Sequence, residues 1–241
     1  MGRNMMIDIH THILPKADDG ARDWDTCCKM LVQSAESGVK AIIATPHYSP
    51  WMKGPEPKEV FESCKEAHER LKSEFGVEMQ IYPGNEIYYS VDVIQEIKKG
   101  KALTLAGSSY VLVEFAEHTS LQTIYRAVRE FRDGGYIPIL AHIERCRCLY
   151  GERELRYLKE GGALFQINAE MLDKGIFSAK GRWAKRCLKK GWIDFVASDM
   201  HNLDTRPPIQ AGHIQWMQHN LNPEYYKALL YENAEEILSN I

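Results

Sequence analysis

Two histidines, His10 and His12, lie two residues apart directly after a short apolar run. On an extended backbone, side chains two residues apart leave the same face of the strand. Two such imidazoles can hold one metal ion, because neutral imidazole is a favoured ligand of zinc, manganese and iron. Alone the pattern is weak, since a pair with this spacing is more often two surface or core histidines. The metal interpretation therefore depends on the side chains that end the later strands.

Histidines and carboxylates follow the ends of six of the seven strands that we predict below. Each has an ordinary alternative, such as a loop histidine or a helix cap. Glu114 and His142 lie in otherwise apolar runs, however, where burial of an ionisable group is costly without a partner. One ion takes about four to six ligands, so nitrogen and oxygen donors in this number indicate two or three ions with shared carboxylates. The candidates are His10, His12, one of Asp18 and Asp19, His47, Glu86, Glu114, His142, Asp199 and His201.

The elements that must position these side chains alternate between short apolar strands and amphipathic helices. The first strand leads into His12, and the others cover about 40–45, 78–83, 110–115, 137–141, 163–168 and 193–197. Helices are predicted over about 25–37, 58–75, 91–99, 121–131, 152–159 and 179–190, and two more close the chain, the last beginning at Asn222-Pro223. This order implies a parallel α/β sheet. Without a Gly-x-Gly-x-x-Gly fingerprint, it favours a closed or nearly closed barrel, whose active site forms where strands end.

The bulk properties predict one domain over residues 1–241, although the first five residues could be an extension. The net charge of -3 argues against a nucleic-acid or membrane surface. No apolar run reaches the roughly 18 residues of a membrane span, and no signal-peptide pattern is present. The six cysteines include the pairs Cys27-Cys28 and Cys146-x-Cys148. We expect reduced thiols and a cytoplasmic protein.

Several motifs together resemble the PHP (polymerase and histidinol phosphatase) superfamily, and within it the bacterial capsule- and exopolysaccharide-associated tyrosine-protein phosphatases. The similarity spans nearly the whole chain, with Thr205 where many relatives would have glycine. The motifs are Asp8-Ile-His-Thr-His12, Asp18-Asp-Gly20, Thr45-Pro-His47, Gly84-Asn-Glu-Ile-Tyr-Tyr89, Val113-Glu-Phe115, Ala141-His-Ile-Glu-Arg145 and Ala197-Ser-Asp-Met-His-Asn-Leu-Asp-Thr-Arg-Pro-Pro208.

The resemblance implies a distorted (β/α)7 TIM-like barrel with three divalent metal ions. Manganese is the expected metal, and the ligand types also suit iron or zinc. The family's ligand positions fall on His10, His12, Asp19, His47, Glu86, Glu114, His142, Asp199 and His201.

Two arginines, Arg145 and Arg206, follow predicted ligands closely in the chain. A guanidinium group fits phosphate oxygens bidentately, although many arginines simply lie on the surface. The family uses arginines here for phosphate, so we assign both to substrate binding and, with Asp199, to catalysis. The expected chemistry is phosphoester hydrolysis by water that the metals activate. A phenolate, with a pKa of about 10, would be a good leaving group.

Cys64 and Arg70 have the Cys-x5-Arg spacing of cysteine-dependent tyrosine phosphatases. That phosphate loop needs small residues and glycine, so that backbone N–H groups converge on the anion. Here the interval is Lys-Glu-Ala-His-Glu in a predicted charged helix, whose carboxylates would repel phosphate. We therefore reject a cysteine mechanism.

The sequence thus predicts a metal-dependent tyrosine-protein phosphatase. By resemblance, its partner is the phosphotyrosine tail of a bacterial tyrosine kinase that controls polysaccharide export. A small-molecule phosphatase, such as histidinol phosphatase, is the enzymatic alternative, and a metal-stabilised binding module without turnover is the other. A protein tail needs an open, shallow site, whose rim could be the loop Ser49 to Pro57 with Trp51. The native metal, the oligomeric state and the general acid stay open.

Overall fold

A computed structural model describes residues 6–52 and 54–240, so the open question of an extension at residues 1–5 lies outside the described residues. The strands are β1 Met6–Thr11, β2 Val39–Ala44, β3 His47–Tyr48, β4 Gln80–Pro83, β5 Glu86–Tyr88, β6 Tyr110–Glu114, β7 Ile137–Leu140, β8 Leu164–Asn168 and β9 Phe195–Ala197. The α-helices are α1 Trp24–Glu36, α2 Pro57–Phe75, α3 Val93–Lys98, α4 Leu121–Asp133, α5 Glu152–Glu160, α6 Ala179–Lys189, α7 Ala211–Asn220, α8 Pro223–Lys227 and α9 Asn233–Ser239. A π-helical segment, Ala228–Glu232, joins α8 to α9.

All the strands pair in parallel, in the orders β1-β2-β4 and β3-β5-β6-β7-β8-β9. The predicted alternation of strands and helices is confirmed, with boundaries that differ by a few residues. The prediction missed the short strands β3 and β5, which follow β2 and β4 in the chain after interruptions of two residues each. Segments of two or three residues contain no measurable hydrophobic period.

The interruptions occur where side chains replace the backbone hydrogen bonds of the sheet. Pro46 lacks an N–H group, and the amide of Asn85 donates to its carbonyl at 2.9 Å. The Thr45 hydroxyl accepts from the N–H of Thr11 at 3.0 Å. These contacts hold the strand ends together, and after the breaks His47 of β3 lies in register with Glu86 of β5.

The sheet curls until its last strand approaches its first. A parallel bridge joins Thr11 to Met200, just beyond β9. The N–H of His12 donates to the carbonyl of Met200 at 2.9 Å, and the N–H of Asp199 donates to the carbonyl of His10 at the same distance. The fold is therefore a curled parallel sheet with helices packed around it.

The interior of this sheet is apolar at one end and charged at the other. Ile9, Ile43, Leu112 and Ile139 are buried together with apolar side chains of α9, including Ile237. Residues two apart on a strand share a face, and on β6 the inner face that carries Leu112 continues with Glu114 near the carboxyl end. The apolar end forms a floor below the candidate site. Within the described residues, no helix is both long and apolar enough to cross a membrane.

Candidate metal centre

The Glu86 carboxylate, at the start of β5, lies at the middle of a cluster of imidazoles. Its Oε2 atom is 3.2 Å from Nε2 of both His10 and His12 and 3.0 Å from Nδ1 of His47. Its Oε1 atom is 2.7 Å from Nε2 of His142. The Glu86 side chain is 1% exposed, so these imidazoles rather than water surround its oxygens. A carboxylate in this position can bridge two ions.

Asp199 faces the same imidazoles from β9. Its Oδ1 atom lies 3.3 Å from Nε2 of His10 and 3.4 Å from Nε2 of His12. The backbone of Asp199 has a φ of 53°, and that of His142 has a φ of 29°. Left-handed conformations cost non-glycine residues of the order of 1–3 kcal/mol and cluster at functional sites. The fold thus stores strain where the two side chains enter the centre.

The predicted ligands form three overlapping groups, in each of which the possible donor atoms lie within 4.8 Å of one another. His12, His47 and Glu86 each belong to two of the groups. His142 lies beside the third, with Nε2 3.4 Å from Oε1 of Glu114. The structure therefore brings all the predicted ligands to one end of the sheet. The groups are His10, His12, Glu86, Asp199; His12, Asp19, His47, His201; and His47, Glu86, Glu114.

Asp19 differs from the other members because its side chain is 67% exposed. Its Oδ1 atom still lies 3.3 Å from Nε2 of His201 and 3.5 Å from Nε2 of His47. This edge of the centre is open to solvent.

The donor set fits divalent metal ions. The groups contain imidazole nitrogens and carboxylate oxygens, which manganese, zinc and iron accept. Two of the buried ligand atoms in these groups have no hydrogen-bond partner: Oδ1 of Asp199 and Nε2 of His201. Buried polar atoms are normally paired, so orphaned donors that converge on one space are typical of a cation site.

Electrostatics in the cluster favour the charged forms of His142 and Glu86. Burial alone would lower the pKa of His142, but hydrogen bonds to Glu114 and Glu86 raise it to about 10. Burial likewise opposes the charge on Glu86, yet the nearby His10 and hydrogen-bonded imidazoles hold its pKa well below the usual range. A divalent ion that binds His142 therefore has to displace a proton from this imidazole.

Asp18 orients two of the imidazole-bearing segments, a role that the sequence did not assign. Nδ1 of His12 donates to Oδ2 of Asp18 at 2.6 Å, and the same oxygen accepts the N–H of His47 at 3.0 Å. Burial raises the pKa of Asp18, but the bond to His12 and the other contacts lower it to about 2. A Cβ at Gly20 would lie 2.0 Å from the carbonyl oxygen of His12, so this turn needs glycine. Nε2 of His12 is thereby directed into the centre.

The two predicted arginines meet at one atom. Nη2 of Arg145 is 2.9 Å and Nη2 of Arg206 2.7 Å from Oδ2 of Asp199. Their side chains are 37% and 31% exposed, so part of each guanidinium group faces the opening. They can offer the remaining N–H groups to an anion that enters there.

Gln166 and Asn168 on β8 were missed. Both are buried on the inner face, and the Asn168 amide donates to Oδ2 of Asp199 at 2.6 Å. Two neutral amides at alternate positions of an apolar strand were the available signal, because a buried amide also needs partners.

The Cys-x5-Arg pair lies in α2, away from the centre. Burial raises the pKa of the Cys64 thiol to about 12. Arg70 instead pairs with Glu66 at 2.8 Å and Glu74 at 3.1 Å. The rejection of a phosphate loop here agrees with this geometry.

An aromatic pair borders the opening. Tyr88 is the register partner of Glu114 on the neighbouring strand, so both side chains are on the inner face. Trp51, 64% exposed, packs edge-on against Tyr88 with ring centroids 6.0 Å apart. The rim therefore presents an accessible indole beside the charged centre.

Fold and site together define an α/β protein with a histidine- and carboxylate-rich centre where its parallel strands end. A family model described as "Capsular polysaccharide synthesis, CpsB/CapC" matches residues 6–239, and the chain belongs to this family. The predicted resemblance to capsule-associated tyrosine-protein phosphatases is confirmed by this match together with the relatives CpsB and YwqE.

Individual relatives cover nearly the whole chain. Tyrosine-protein phosphatase CpsB of Streptococcus agalactiae is 32% identical over 241 residues, which are 98% of this chain and 99% of the relative. Tyrosine-protein phosphatase YwqE of Bacillus subtilis is 36% identical over 240 residues, covering 98% and 92%. A crystal structure from work on YwqE and Streptococcus pneumoniae CpsB, described as "unique metal-dependent tyrosine phosphatases", superposes with a TM-score of 0.88 at 34% identity. It covers 98% of this chain and 95% of that one.

Proposed function

We propose that this chain is a metal-dependent tyrosine-protein phosphatase. The observation that carries the proposal is the convergence of the Glu86-centred imidazole cluster and two arginines at Asp199. The names of the relatives support the same reaction. The predicted nine side chains, from His10 to His201, are the proposed metal ligands, and Arg145 and Arg206 bind the phosphoryl group.

Three ions, with manganese first and iron or zinc next, are the proposed cofactor. The three donor groups and their shared members support this number. When bound, such ions lower the pKa of a coordinated water and neutralise phosphoryl oxygens. The protein's own contribution is positional, because the two arginines orient the phosphoryl group. Their guanidinium groups are already in place and need no rearrangement as negative charge develops on the phosphoryl oxygens.

We further propose that residues 1–241 form one phosphatase domain with a distorted (β/α)7 barrel. The bridge between Thr11 and Met200 supports closure of the sheet. The free state of the six cysteines supports a cytoplasmic location, where thiols stay reduced.

The proposed partner is the phosphotyrosine tail of a bacterial tyrosine kinase. Support comes from the partly exposed side chains of Arg145 and Arg206, the exposed edge at Asp19 and the exposed indole of Trp51. An extended peptide needs such a shallow, open site. A net charge of -3 does not favour nucleic acid.

The test compares hydrolysis of a phosphotyrosine peptide, the matching phosphoserine peptide and histidinol phosphate, each with manganese and after chelation. Metal-dependent release of phosphate from the phosphotyrosine peptide alone is expected. Preferential turnover of histidinol phosphate would support the metal centre but show that the substrate is a small molecule rather than a phosphotyrosine peptide. Bound metal without turnover of any substrate would favour the metal-stabilised binding module.

A further inference from the structure

Strand β8 carries two fully enclosed amides on the face that lines the centre. Gln166 is 0% and Asn168 2% exposed. The two residues are in register with Phe195 and Ala197 of β9, inner-face positions that lead to Asp199. The amides therefore lie between the β7 end of the centre, at His142, and its β9 end.

The amides form one hydrogen-bonded row with a defined direction. The backbone N–H of His142 donates to Oε1 of Gln166 at 2.7 Å. Nε2 of Gln166 donates to Oδ1 of Asn168 at 2.9 Å, and Nδ2 of Asn168 donates to Oδ2 of Asp199 at 2.6 Å. A backbone donor at one end and a carboxylate acceptor at the other fix the orientation, because a flipped amide would place two donors or two acceptors together.

This direction determines the tautomer of His10. Nδ1 of His10 lies 3.2 Å from Oε1 of Gln166, and that oxygen can only accept. Nδ1 therefore carries the proton, which leaves the lone pair of Nε2 for a metal ion. Nε2 points to the oxygens of Glu86 and Asp199, at 3.2 and 3.3 Å.

At the other end of the row, the two carboxylate oxygens of Asp199 have different contacts. Oδ2 receives hydrogen bonds from Asn168 and Arg145 and forms an ion pair with Arg206. Oδ1 has no hydrogen-bond donor and faces the imidazoles of the centre. Asn168 thus helps hold the carboxylate with one oxygen free for a cation. Its own N–H is held by Oε1 of the buried Glu144 at 3.2 Å.

We infer that Gln166 and Asn168 are positioning residues of the centre: Gln166 sets the tautomer of His10, and Asn168 aims Oδ1 of Asp199. The inference rests on the proposed metal centre and adds two side chains to it that do not themselves touch a substrate. Outer partners of metal ligands typically change metal affinity by about 10- to 100-fold when removed. A merely structural pair of amides would change melting temperature instead.

The test measures zinc affinity of metal-free protein with a competing chelator, together with ¹⁵N spectra of the histidines in the zinc-loaded form. Gln166→Leu is expected to lower affinity about 10- to 100-fold and to disturb the Nδ1 proton of His10. Asn168→Leu is expected to lower affinity while His10 keeps that proton. Gln166→Glu keeps an oxygen facing His10 and should restore the Nδ1 signal.

Asn233→Leu serves as the matched control, because this amide donates to a backbone carbonyl, that of Asp194, at 2.7 Å in the terminal helix. It should lower melting temperature without changing zinc affinity. Zinc affinity within threefold of the unaltered protein for both β8 leucine variants would overturn the inference. If Gln166→Leu does not fold, Asn168→Leu and Gln166→Glu decide it by the same criteria. An unaltered protein that binds no divalent metal would instead refute the proposed function.

Discussion

Arg206 reaches Asp199 with Nη2 2.7 Å from Oδ2. Arg145 reaches the same oxygen from the turn after β7, at 2.9 Å. Two guanidinium groups on one carboxylate oxygen leave several N–H groups unused, and the side chains of Arg145 and Arg206 are 37% and 31% exposed. The proposed role of the pair is to bind phosphate oxygens, which a guanidinium group can contact bidentately.

Removal of either guanidinium group should reduce catalysis more than metal binding. Arg206→Ala and Arg145→Ala are each expected to lower kcat/KM for a phosphotyrosine peptide about 100- to 1,000-fold, because a preorganised charge donor is lost. Lysine at the same position should recover part of the loss, since it keeps the charge but not the fork. Steady-state kinetics and metal analysis check this; a variant that also loses its metal would show a structural role instead.

Glu86→Gln should remove more than one equivalent of metal. Both Glu86 oxygens contact imidazoles, with Oε2 3.2 Å from His10 and Oε1 2.7 Å from His142. An amide is neutral and has one acceptor atom instead of two, so it would be a weaker metal ligand on both sides of the cluster. Elemental analysis of the purified variant is the measurement. A full metal complement in Glu86→Gln would contradict a role for both Glu86 oxygens in metal binding.

Metal binding should release protons, and its affinity should increase with pH. The pKa of His142 is raised to about 10, so the metal-free protein keeps this proton at neutral pH and must lose it when the imidazole binds metal. As pH rises toward that pKa, fewer protons compete with the ion. Calorimetric titration in two buffers of different ionisation enthalpy counts the protons. Affinity that is flat from about pH 6 to pH 8 would be the opposite result.

Cys64→Ser should leave kcat/KM unchanged within about twofold. The thiol is buried in α2 and its pKa is raised to about 12 by burial, so the nucleophilic thiolate is scarce at neutral pH. Kinetics with and without manganese check the variant. A tenfold loss of activity with normal metal content would reopen the cysteine mechanism.

The predicted ligands could be found in the sequence because ionised groups are unexpected in apolar strands. Glu114 and His142 stood out for this reason, and the parallel α/β pattern placed them at one end. Gln166 and Asn168 could not be found in the same way, because a neutral amide in a strand has many possible partners. Their partners depend on register between β7, β8 and β9, which sequence patterns do not determine.

The interruptions that follow the second and third predicted strands could not be predicted for a related reason. At the interruptions before β3 and β5, the side chains of Asn85 and Thr45 form hydrogen bonds with backbone groups of neighbouring segments. Both hydrogen bonds join residues that are distant in the chain. Asp18 is similar, since its bond to His12 requires a turn in which Gly20 closely approaches the His12 backbone.

Trp51 should distinguish a peptide substrate from a small one. Its indole is 64% exposed and is held edge-on by Tyr88, which is paired in register with Glu114 of the centre. An aromatic contact contributes about 0.5–1.5 kcal/mol, which corresponds to about a 2- to 12-fold change in binding. Trp51→Ala is therefore expected to raise KM for a phosphotyrosine peptide by that factor with kcat nearly unchanged, since the arginines and ligands stay in place.

Tyr157→Ala is the matched control, because Tyr157 is also an exposed member of an aromatic pair, with its ring 4.6 Å from that of Tyr125 on the outer helices. It should leave KM unchanged. Free phosphotyrosine, used as a second substrate, has the phenyl ring but no flanking residues. An equal rise in KM for the amino acid and the peptide would show that Trp51 contacts the phenyl ring. A rise for the peptide alone would show that Trp51 contacts the flanking residues of the peptide. Unchanged KM for both substrates would exclude this rim from recognition, and the peptide would then have to approach over the exposed edge at Asp19.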